Sequence, residues 1–109
     1  MSIITLTTDF GTKDHFVAKI KGAIMSDTPE VAIVDITHQI SPFNIMETAY
    51  VIENSYKHFP EKTIHIIGVD FEKTPENTHL VIKLNGQYFI CADNGILSIV
   101  CNNINPDEI

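Results

Sequence analysis

The sequence contains no arginine, and its seven basic residues are all lysines. Without arginine, no guanidinium can bind a carboxylate or phosphate through two parallel hydrogen bonds. The 14 acidic residues give a formal charge of −7, which argues against nucleic acid as a partner because that binding requires clustered positive charge. No apolar run is long enough to cross a bilayer and no basic segment precedes the first one, so we expect neither a membrane span nor a signal peptide.

Cysteine and glycine are also scarce. The two cysteines, Cys91 and Cys101, lack the spacing of a metal site and stand in apolar company, which is typical of reduced core thiols in a cytoplasmic protein. Neither the GxGxxG fingerprint nor the P-loop occurs, and no serine or cysteine stands in a nucleophile elbow. We therefore expect no metal, and no phosphate-binding loop of a familiar kind.

Four apolar runs of the chain are each followed by an aspartate. The runs cover residues 3–8, 31–34, 64–69 and 88–92, and the aspartates are Asp9, Asp35, Asp70 and Asp93. Such β-branched and apolar runs predict buried strands. Polar groups that collect beyond the carboxyl ends of strands are how α/β proteins build ligand sites.

Helix signals separate the runs. The apolar spacing predicts a helix from Asp14, as its N-cap, to Met25, and Gly22 inside it indicates close packing against a strand or ligand. Asn44 and Glu47 have the spacing of a capping box and predict the start of a second helix. Composition assigns the remaining segments: loops over 36–42 and 71–78, a short helix over 96–101 and a polar tail over 102–109.

A hairpin is predicted over residues 79–92. Two strands, 79–84 and 87–92, flank Asn85 and Gly86, which both tolerate the positive φ of a type I′ turn. The order βαβαβ followed by this hairpin predicts a Rossmann-like, three-layer α/β domain with a mainly parallel sheet. Right-handed crossovers would then place Asp9, Asp35 and Asp70 along one edge of the sheet.

Each polar motif also has a structural interpretation. Asp9 and Asp14 suit a turn and a helix cap, or carboxylates that accept the two hydroxyls of a ribose. Asp35 and His38 could be a base with its orienting acid or half a metal site, but we favour a loop histidine held by local hydrogen bonds. The segment from Asp93 to Gly95 is most often a turn, and Lys13, Lys19 and Lys21 suit a solvated helix face.

Six motifs follow one another along the chain: residues 5–14 (TLTTDFGTKD), 17–22 (VAKIKG), 34–38 (VDITH), 59–60 (FP), 69–70 (VD) and 92–97 (ADNGIL). In this order and spacing they resemble the S-adenosyl-L-methionine (SAM) hydroxide adenosyltransferases, also called SAM hydrolases, which are relatives of the SAM-dependent fluorinase and chlorinase. The similarity runs over essentially the whole chain. The ordered set of motifs is specific, although each motif alone is not.

The resemblance implies a nucleophilic substitution at C5′ of the SAM ribose. Water would displace methionine from the sulfonium and leave adenosine. Family members are similar in being trimers, with SAM held between the N-terminal domain of one subunit and the C-terminal β-barrel of a neighbour. SAM is then the substrate, so the implied partners are SAM or adenosine and further copies of the chain, without a separate cofactor.

The resemblance also implies roles for individual residues. Asp14 matches the aspartate that binds the ribose hydroxyls, and Asp9 matches a motif position nearby. Asp70 matches the aspartate that the water-using branch places beside the nucleophile, where the halide-using branch has a tyrosine, and this favours water. The implied substrate-binding residues are Asp9, Phe10, Asp14, Asp93 and Asn94, and the implied catalytic residues are Asp70 and Asn77.

Two departures from the family pattern stand out. After the aspartate the family has Pro-Gly-Val-Gly and an arginine, whereas this chain has residues 71–77 (FEKTPEN), so Asn77 takes the arginine's place and Lys73 is another possible donor. The family's catalytic histidine and C-terminal domain have no counterpart in residues 1–109, which we interpret as an incomplete N-terminal SAM-binding domain. A halide-using enzyme and a SAM-binding module without catalysis stay open as alternatives.

Because the family's second domain has no counterpart here, the sheet has few helices to cover it. The strands are apolar at nearly every position and are therefore expected to be covered on both faces. We expect this piece alone to leave apolar surface or a strand edge exposed, to associate with other chains and not to turn over SAM.

Overall fold

The computed structural model describes residues 2–11, 15–42, 44–69 and 79–92 of the chain. The elements are β1 (Ser2–Thr8), α1 (Phe16–Asp27), β2 (Val31–Thr37), α2 (Ile45–Ser55), a 3-10 helix (Tyr56–His58), β3 (Ile64–Gly68), β4 (His79–Leu84) and β5 (Gln87–Ala92). The predicted loop over 71–78, helix over 96–101 and tail over 102–109 lie outside the described residues. No helix in the described ranges is long and apolar enough to cross a membrane.

The five strands form one sheet in the order β2-β1-β3-β5-β4. The pairs β1–β2, β1–β3 and β3–β5 are parallel, and β4 runs antiparallel to β5. The crossovers through α1 and α2 run in opposite directions across the sheet, so right-handed connections place the two helices on opposite faces. The predicted α/β fold with a mainly parallel sheet is confirmed.

The predicted hairpin is confirmed, including its turn. Leu84 and Gln87 face each other as the last pair of the β4–β5 ladder. Asn85 and Gly86 have φ angles of 53° and 78°. Positive φ at both central positions is the requirement of a type I′ turn, whose twist matches that of the flanking strands.

The second strand is longer than predicted. It was expected to end at Asp35 but runs on to Thr37, so the predicted loop over 36–42 begins two residues too early. The apolar run ends at Val34, but Ile36 and Thr37 are β-branched and continue the strand. The pairing with β1 shifts register here, because Leu6 pairs with Asp35 and the next β1 residue, Thr7, with Thr37, which makes Ile36 an extra residue on β2.

The first helix differs from the prediction in three ways. It begins at Phe16 with His15 in the N-cap position and no side-chain cap, so the prediction that Asp14 is the N-cap is wrong. No residue of α1 is fully buried, and the predicted apolar face is only half-covered. No atom of the described residues would lie within 4 Å of a Cβ on Gly22, so the expected close packing of Gly22 against a strand is not found there.

The second helix is capped as predicted. The backbone N–H of Glu47 donates to Oδ1 of Asn44 over 2.9 Å. The Glu47 carboxylate accepts from the backbone N–H of Ser41 over 3.3 Å, which ties the helix to the preceding segment instead of completing a reciprocal box. These two bonds fix the entry of the chain into α2.

The main hydrophobic core lies between α2 and the β3–β5–β4 half of the sheet. Its buried members are Ile40, Ala49, Ile52, Tyr56, Ile67, Val69, Ile82, Leu84, Phe89 and Cys91. Full burial of one such aliphatic or aromatic side chain contributes about 1.5–3 kcal/mol. Since α2 contributes buried side chains and α1 contributes none, the core stabilises the position of α2 far more strongly.

Several large apolar side chains are exposed, as expected for a sheet with little cover. They are Phe16, Met25, Val34, Met46, Tyr50 and Val81. Val34 lies on β2, which is an edge strand of the sheet that the described residues form. Association of chains through this surface stays a prediction.

A buried hydrogen-bond chain crosses the centre of the sheet at His65. Its Nδ1 lies 2.6 Å from Oγ1 of Thr5, and its Nε2 lies 2.6 Å from Oε1 of Gln87. The Gln87 amide nitrogen donates to the carbonyls of Tyr56 and Phe59, so its oxygen must accept from Nε2–H of His65. The ring is thereby assigned as neutral, with Nδ1 accepting from the Thr5 hydroxyl.

This chain makes stability depend on pH. Burial lowers the pKa of His65, and the hydrogen bond with Gln87 only partly opposes it. The unfolded chain therefore takes up a proton near pH 6.5 that the folded chain resists. The resulting stabilisation is fully present above that pH and is lost below it, by up to about 1.4 kcal/mol per pH unit.

We predict that the gap in thermal midpoint between the parent and His65→Gln narrows as the pH is lowered from 7.5 to 5. His58→Gln is the control, because it removes an exposed histidine on the 3-10 helix and leaves the hydrogen bonds of His65 in place. Differential scanning calorimetry measures both gaps. A constant gap for His65→Gln would show that the buried ring accepts a proton without cost.

Candidate functional site

The strand order places the topological switch point of the sheet at the carboxyl ends of β1 and β3. The chain leaves β1 toward β2 and leaves β3 toward the opposite side of the sheet, so these neighbouring strands form the topological switch point. In open α/β sheets ligands bind at such a point. Asp9 is the first residue after β1, and Val69 follows β3 immediately before Asp70 in the sequence.

The loop beyond β1 consists of Asp9, Phe10 and Gly11, and we call it the Asp9 loop. All three residues are half-buried. Gly11 has a φ of 74°, a left-handed conformation that glycine adopts at little cost. Its N–H donates to the carbonyl of His38 over 2.7 Å, and the N–H of Phe10 donates to Oγ1 of Thr8 over 3.3 Å. The two backbone N–H groups that follow Asp9 are therefore both hydrogen-bonded.

The ring of Phe10 lies against the end of β3. A Cβ built on Gly68 would lie 3.2 Å from Cγ2 of Thr8 and 3.3 Å from Cζ of Phe10, tighter than most real contacts. On its other side the ring neighbours Phe16 of α1, with 6.1 Å between ring centroids. Phe10, predicted to bind substrate, thus fills a place that the absence of a side chain at Gly68 provides.

A chain of side-chain hydrogen bonds runs from the surface of α1 to Thr8. Nζ of Lys21 donates to Oδ2 of Asp35 over 2.6 Å, and Oδ1 of Asp35 lies 2.7 Å from Nε2 of His38. Nδ1 of His38 lies 2.7 Å from Oγ1 of Thr8. Because a carboxylate only accepts, Nε2 of His38 must carry a hydrogen, and in the neutral ring Nδ1 accepts from the Thr8 hydroxyl.

The electrostatics of this chain keep Asp35 ionised. Burial alone would raise the pKa of the Asp35 carboxyl, but the hydrogen bonds and charges of Lys21 and His38 outweigh it, so the pKa is lowered. The Lys21–Asp35 ion pair is partly exposed to solvent, and such pairs contribute only about 0–1 kcal/mol to stability. Its effect is therefore to orient His38.

The favoured interpretation of Asp35 and His38 is supported by these contacts. Local hydrogen bonds occupy both ring nitrogens of His38, and its side chain is only 5% exposed. The ring therefore has no nitrogen left for a metal or for proton transfer with a ligand. Within the described ranges, no three His, Cys, Asp or Glu side chains group as a metal site.

One buried hydroxyl near the switch point has no partner. Oγ1 of Thr7 is buried and makes no hydrogen bond. Among the buried side-chain nitrogen and oxygen atoms that the structure describes, it is the one without a partner. Thr7 pairs in register with Thr37 on one side and with Ile67 on the other. An unpaired buried hydroxyl costs about 1–3 kcal/mol, so this position is either a local defect or reserved for a ligand atom.

The structure describes only two of the site residues that were predicted from the sequence. Asp9 and Phe10 lie in the loop beyond β1, as predicted. The other predicted site residues, Asp14, Asp70, Asn77, Asp93 and Asn94, lie outside the described residues. Sequence reasoning missed the contacts of Thr8, because a threonine inside an apolar run is typical of any strand.

These features define an α/β domain with a mainly parallel sheet whose switch point lies between β1 and β3. The sequence model of the SAM hydroxide adenosyltransferase N-terminal domain matches residues 4–109. The chain belongs to this family.

Individual relatives agree with the family match. The (R)-S-adenosyl-L-methionine hydrolase of Methanocaldococcus jannaschii is 36% identical to this chain over 114 residues, which is 100% of this chain and 43% of the relative. The fluorinase of Actinopolyspora mzabensis is 40% identical over 62 residues, which is 57% of this chain and 21% of the relative. The chain therefore spans less than half the length of these relatives.

A solved structure has the same fold. The crystal structure of an uncharacterised conserved protein from Thermotoga maritima superposes with a TM-score of 0.89 at 33% sequence identity. The match covers 95% of this chain and 41% of the other. The agreement extends over nearly the whole chain, so the two proteins share this fold.

We predict that Thr7→Val raises the free energy of unfolding by about 1 kcal/mol, because valine keeps the shape and removes an unpaired buried hydroxyl. The matched control is Thr5→Val on the same strand, which removes a bonded hydroxyl and is expected to destabilise. Urea unfolding measures both. A destabilised Thr7→Val protein would contradict the assignment of Thr7 as unpaired.

Proposed function

We propose that the protein carrying this domain hydrolyses SAM to adenosine and methionine. The observation that carries the proposal is the family match over residues 4–109, together with a fixed carboxylate loop at the switch point of the sheet. The relative from Methanocaldococcus jannaschii that matches along the whole chain bears the name of this activity.

The Asp9 loop is suited to hold a ribose. Carboxylates only accept hydrogen bonds, and two adjacent hydroxyls of a sugar can donate to the two oxygens of one carboxylate. Asp9 stands half-buried on a backbone that is bonded on both sides. Asp14 follows in the same motif and is proposed to share the ribose hydroxyls.

The reaction requires little covalent help from the protein. The oxygen of water forms a bond to C5′ while the bond between C5′ and the sulfonium sulfur breaks, and its electron pair goes to sulfur. The water proton passes to a carboxylate or to solvent. Because the leaving group is already activated, catalysis consists of orienting the water in line and polarising it.

Asp70 is the proposed partner of that water. In the sequence it follows Val69 at the end of β3, and β3 is the neighbour of β1 at the switch point, which supports a role close to Asp9. Aspartate at this position also favours water over halide in the family pattern. A carboxylate attracts the cationic substrate as well, and only the part of that attraction that grows in the transition state accelerates the reaction.

A SAM-binding module without catalysis is the second candidate. The observation that favours it is the absence of arginine, which leaves Asn77 at the position where the family pattern has a guanidinium. Lys73 or Asn77 would have to supply the missing donor. Incubation of the complete protein with SAM, with and without chloride, separates the cases: adenosine supports the hydrolase, chloroadenosine supports a halide enzyme, and binding without product supports the module.

The assembly and location of the protein are also proposals. A homotrimer, with SAM between subunits, fits the family pattern and the exposed apolar side chains such as Met46 and Tyr50 on α2. A cytoplasmic location fits Cys91, which is packed in the core like an apolar residue. The charge of −7 favours a cationic small molecule over nucleic acid.

We predict that Asp70→Ala in the complete protein lowers SAM turnover by about 10²- to 10⁴-fold, the usual contribution of a positioned acid or base. Glu30→Ala is the matched control, because that exposed carboxylate lies at the opposite edge of the sheet. Adenosine and methionine release is followed by chromatography. Unchanged turnover in Asp70→Ala would remove this residue from the mechanism.

We predict that Asp14→Asn weakens SAM binding by about 1.5–3 kcal/mol, the contribution of a hydrogen bond to a charged group. His15, not Asp14, occupies the N-cap position, so the start of α1 is expected to persist. Isothermal titration calorimetry measures the affinity, with Asp27→Asn at the other end of α1 as control. Parent-like binding by Asp14→Asn would leave Asp14 without a role in ribose recognition.

A further inference from the structure

We propose that His38 is a positioning residue for the ligand site, because it fixes the geometry of the Asp9 loop through Thr8 and through its own carbonyl. The inference rests on the proposed function only in naming SAM as the ligand. The contacts that carry it all lie in the described part of the chain.

Both ends of the Asp9 loop are hydrogen-bonded to residues 38–40, the segment that follows β2. Before the loop, Oγ1 of Thr8 lies 2.7 Å from Nδ1 of His38, and the Thr8 carbonyl accepts from the N–H of Ile40 over 3.4 Å. After the loop, the N–H of Gly11 donates to the His38 carbonyl over 2.7 Å. Hydrogen bonds to His38 and Ile40, which lie in a different part of the chain, therefore hold both ends of the loop that presents Asp9.

The Thr8 hydroxyl links the ring to the loop backbone. It accepts from the N–H of Phe10 over 3.3 Å, and it donates its own hydrogen to Nδ1 of the neutral His38 ring. This arrangement requires the tautomer with the hydrogen on Nε2, and the Asp35 carboxylate 2.7 Å away favours that tautomer. Orientation thus passes from Asp35 through the ring and the hydroxyl to Phe10.

The burial of these groups excludes a direct role in the reaction. Thr8 is 1% exposed and His38 is 5% exposed. Although threonine, histidine and aspartate follow one another as in a hydrolase triad, no reacting atom can approach the hydroxyl. Any effect of His38 on the ligand must therefore act through the position of the Asp9 loop.

Strand β1 contains a second buried threonine–histidine pair, and its hydrogen bonds lead away from the Asp9 loop. Thr5 bonds to Nδ1 of His65 over 2.6 Å, and Nε2 of His65 bonds to Gln87. That pair is equally buried and uses the same tautomer, but its chain ends on the carbonyls of Tyr56 and Phe59. It therefore separates loss of a threonine–histidine bond from loss of the Asp9 loop geometry.

The test compares variants of the complete protein. Thr8→Val and His38→Gln both remove the side-chain hydrogen bond between Thr8 and Nδ1 of His38. Thr8→Ser keeps the hydroxyl, and His38→Asn can place an amide oxygen near the position of Nδ1. We expect the amide hydrogens of Phe10 and Gly11 to exchange about 2- to 10-fold faster in the first two variants, the range that one hydrogen bond accounts for.

The kinetic readout follows the same order. The KM for SAM is expected to rise by about 2- to 10-fold in Thr8→Val and His38→Gln, with kcat nearly unchanged and with recovery in Thr8→Ser and His38→Asn. Thr5→Val, the control, is expected to lower the thermal midpoint while the loop exchange and KM stay at parent values. Should Thr8→Val fail to fold, His38→Gln and His38→Asn provide the same comparison.

Two results would overturn the proposal. One is parent-like exchange of the Phe10 and Gly11 amides in both Thr8→Val and His38→Gln. The other is a rise in KM for Thr5→Val equal to that for Thr8→Val. A parent protein that neither binds nor cleaves SAM would instead remove the proposed function, and the amide exchange would still decide whether His38 positions the loop.

Discussion

The structure depends on two threonine–histidine hydrogen bonds that leave strand β1 in opposite directions. Thr5 and Thr8 are buried on β1, where an unpaired hydroxyl would cost about 1–3 kcal/mol. Each is bonded to a histidine that a second partner holds in one tautomer. One bond joins β1 to the core beneath α2, and the other joins it to the segment after β2. The polar centre of the sheet and its ligand edge are therefore built by the same means.

The two faces of the sheet serve different purposes. The face beneath α2 carries the main core, which contributes the largest share of apolar burial among the described elements. On the other face α1 is fully buried at no position, and it bears the Lys21 side chain that holds Asp35. The layer formed by α2 is therefore held more strongly on the sheet than the layer formed by α1.

The sequence predicted what depends on near neighbours. Asn85 and Gly86 determine their turn locally, and Asn44 caps α2 across three residues, so both were predicted correctly. The end of β2 and the start of α1 depend on packing and strand pairing, and there the predictions were wrong: β2 continues past Asp35 to Thr37, and the N-cap of α1 is His15 instead of Asp14. The bond between Thr8 and His38 joins residues 30 positions apart, and no spacing rule contains it.

The extra residue on β2 explains why Asp35 and His38 can meet. Residues three apart in a regular strand point to opposite faces of the sheet. Because Ile36 is skipped in the pairing with β1, the alternation changes phase, and His38 emerges on the side of Asp35 and Thr8. Were Ile36 paired with β1 as in a regular strand, the same sequence would point the imidazole away from both partners. The bulge thus preserves a connection in which no atom of Ile36 takes part.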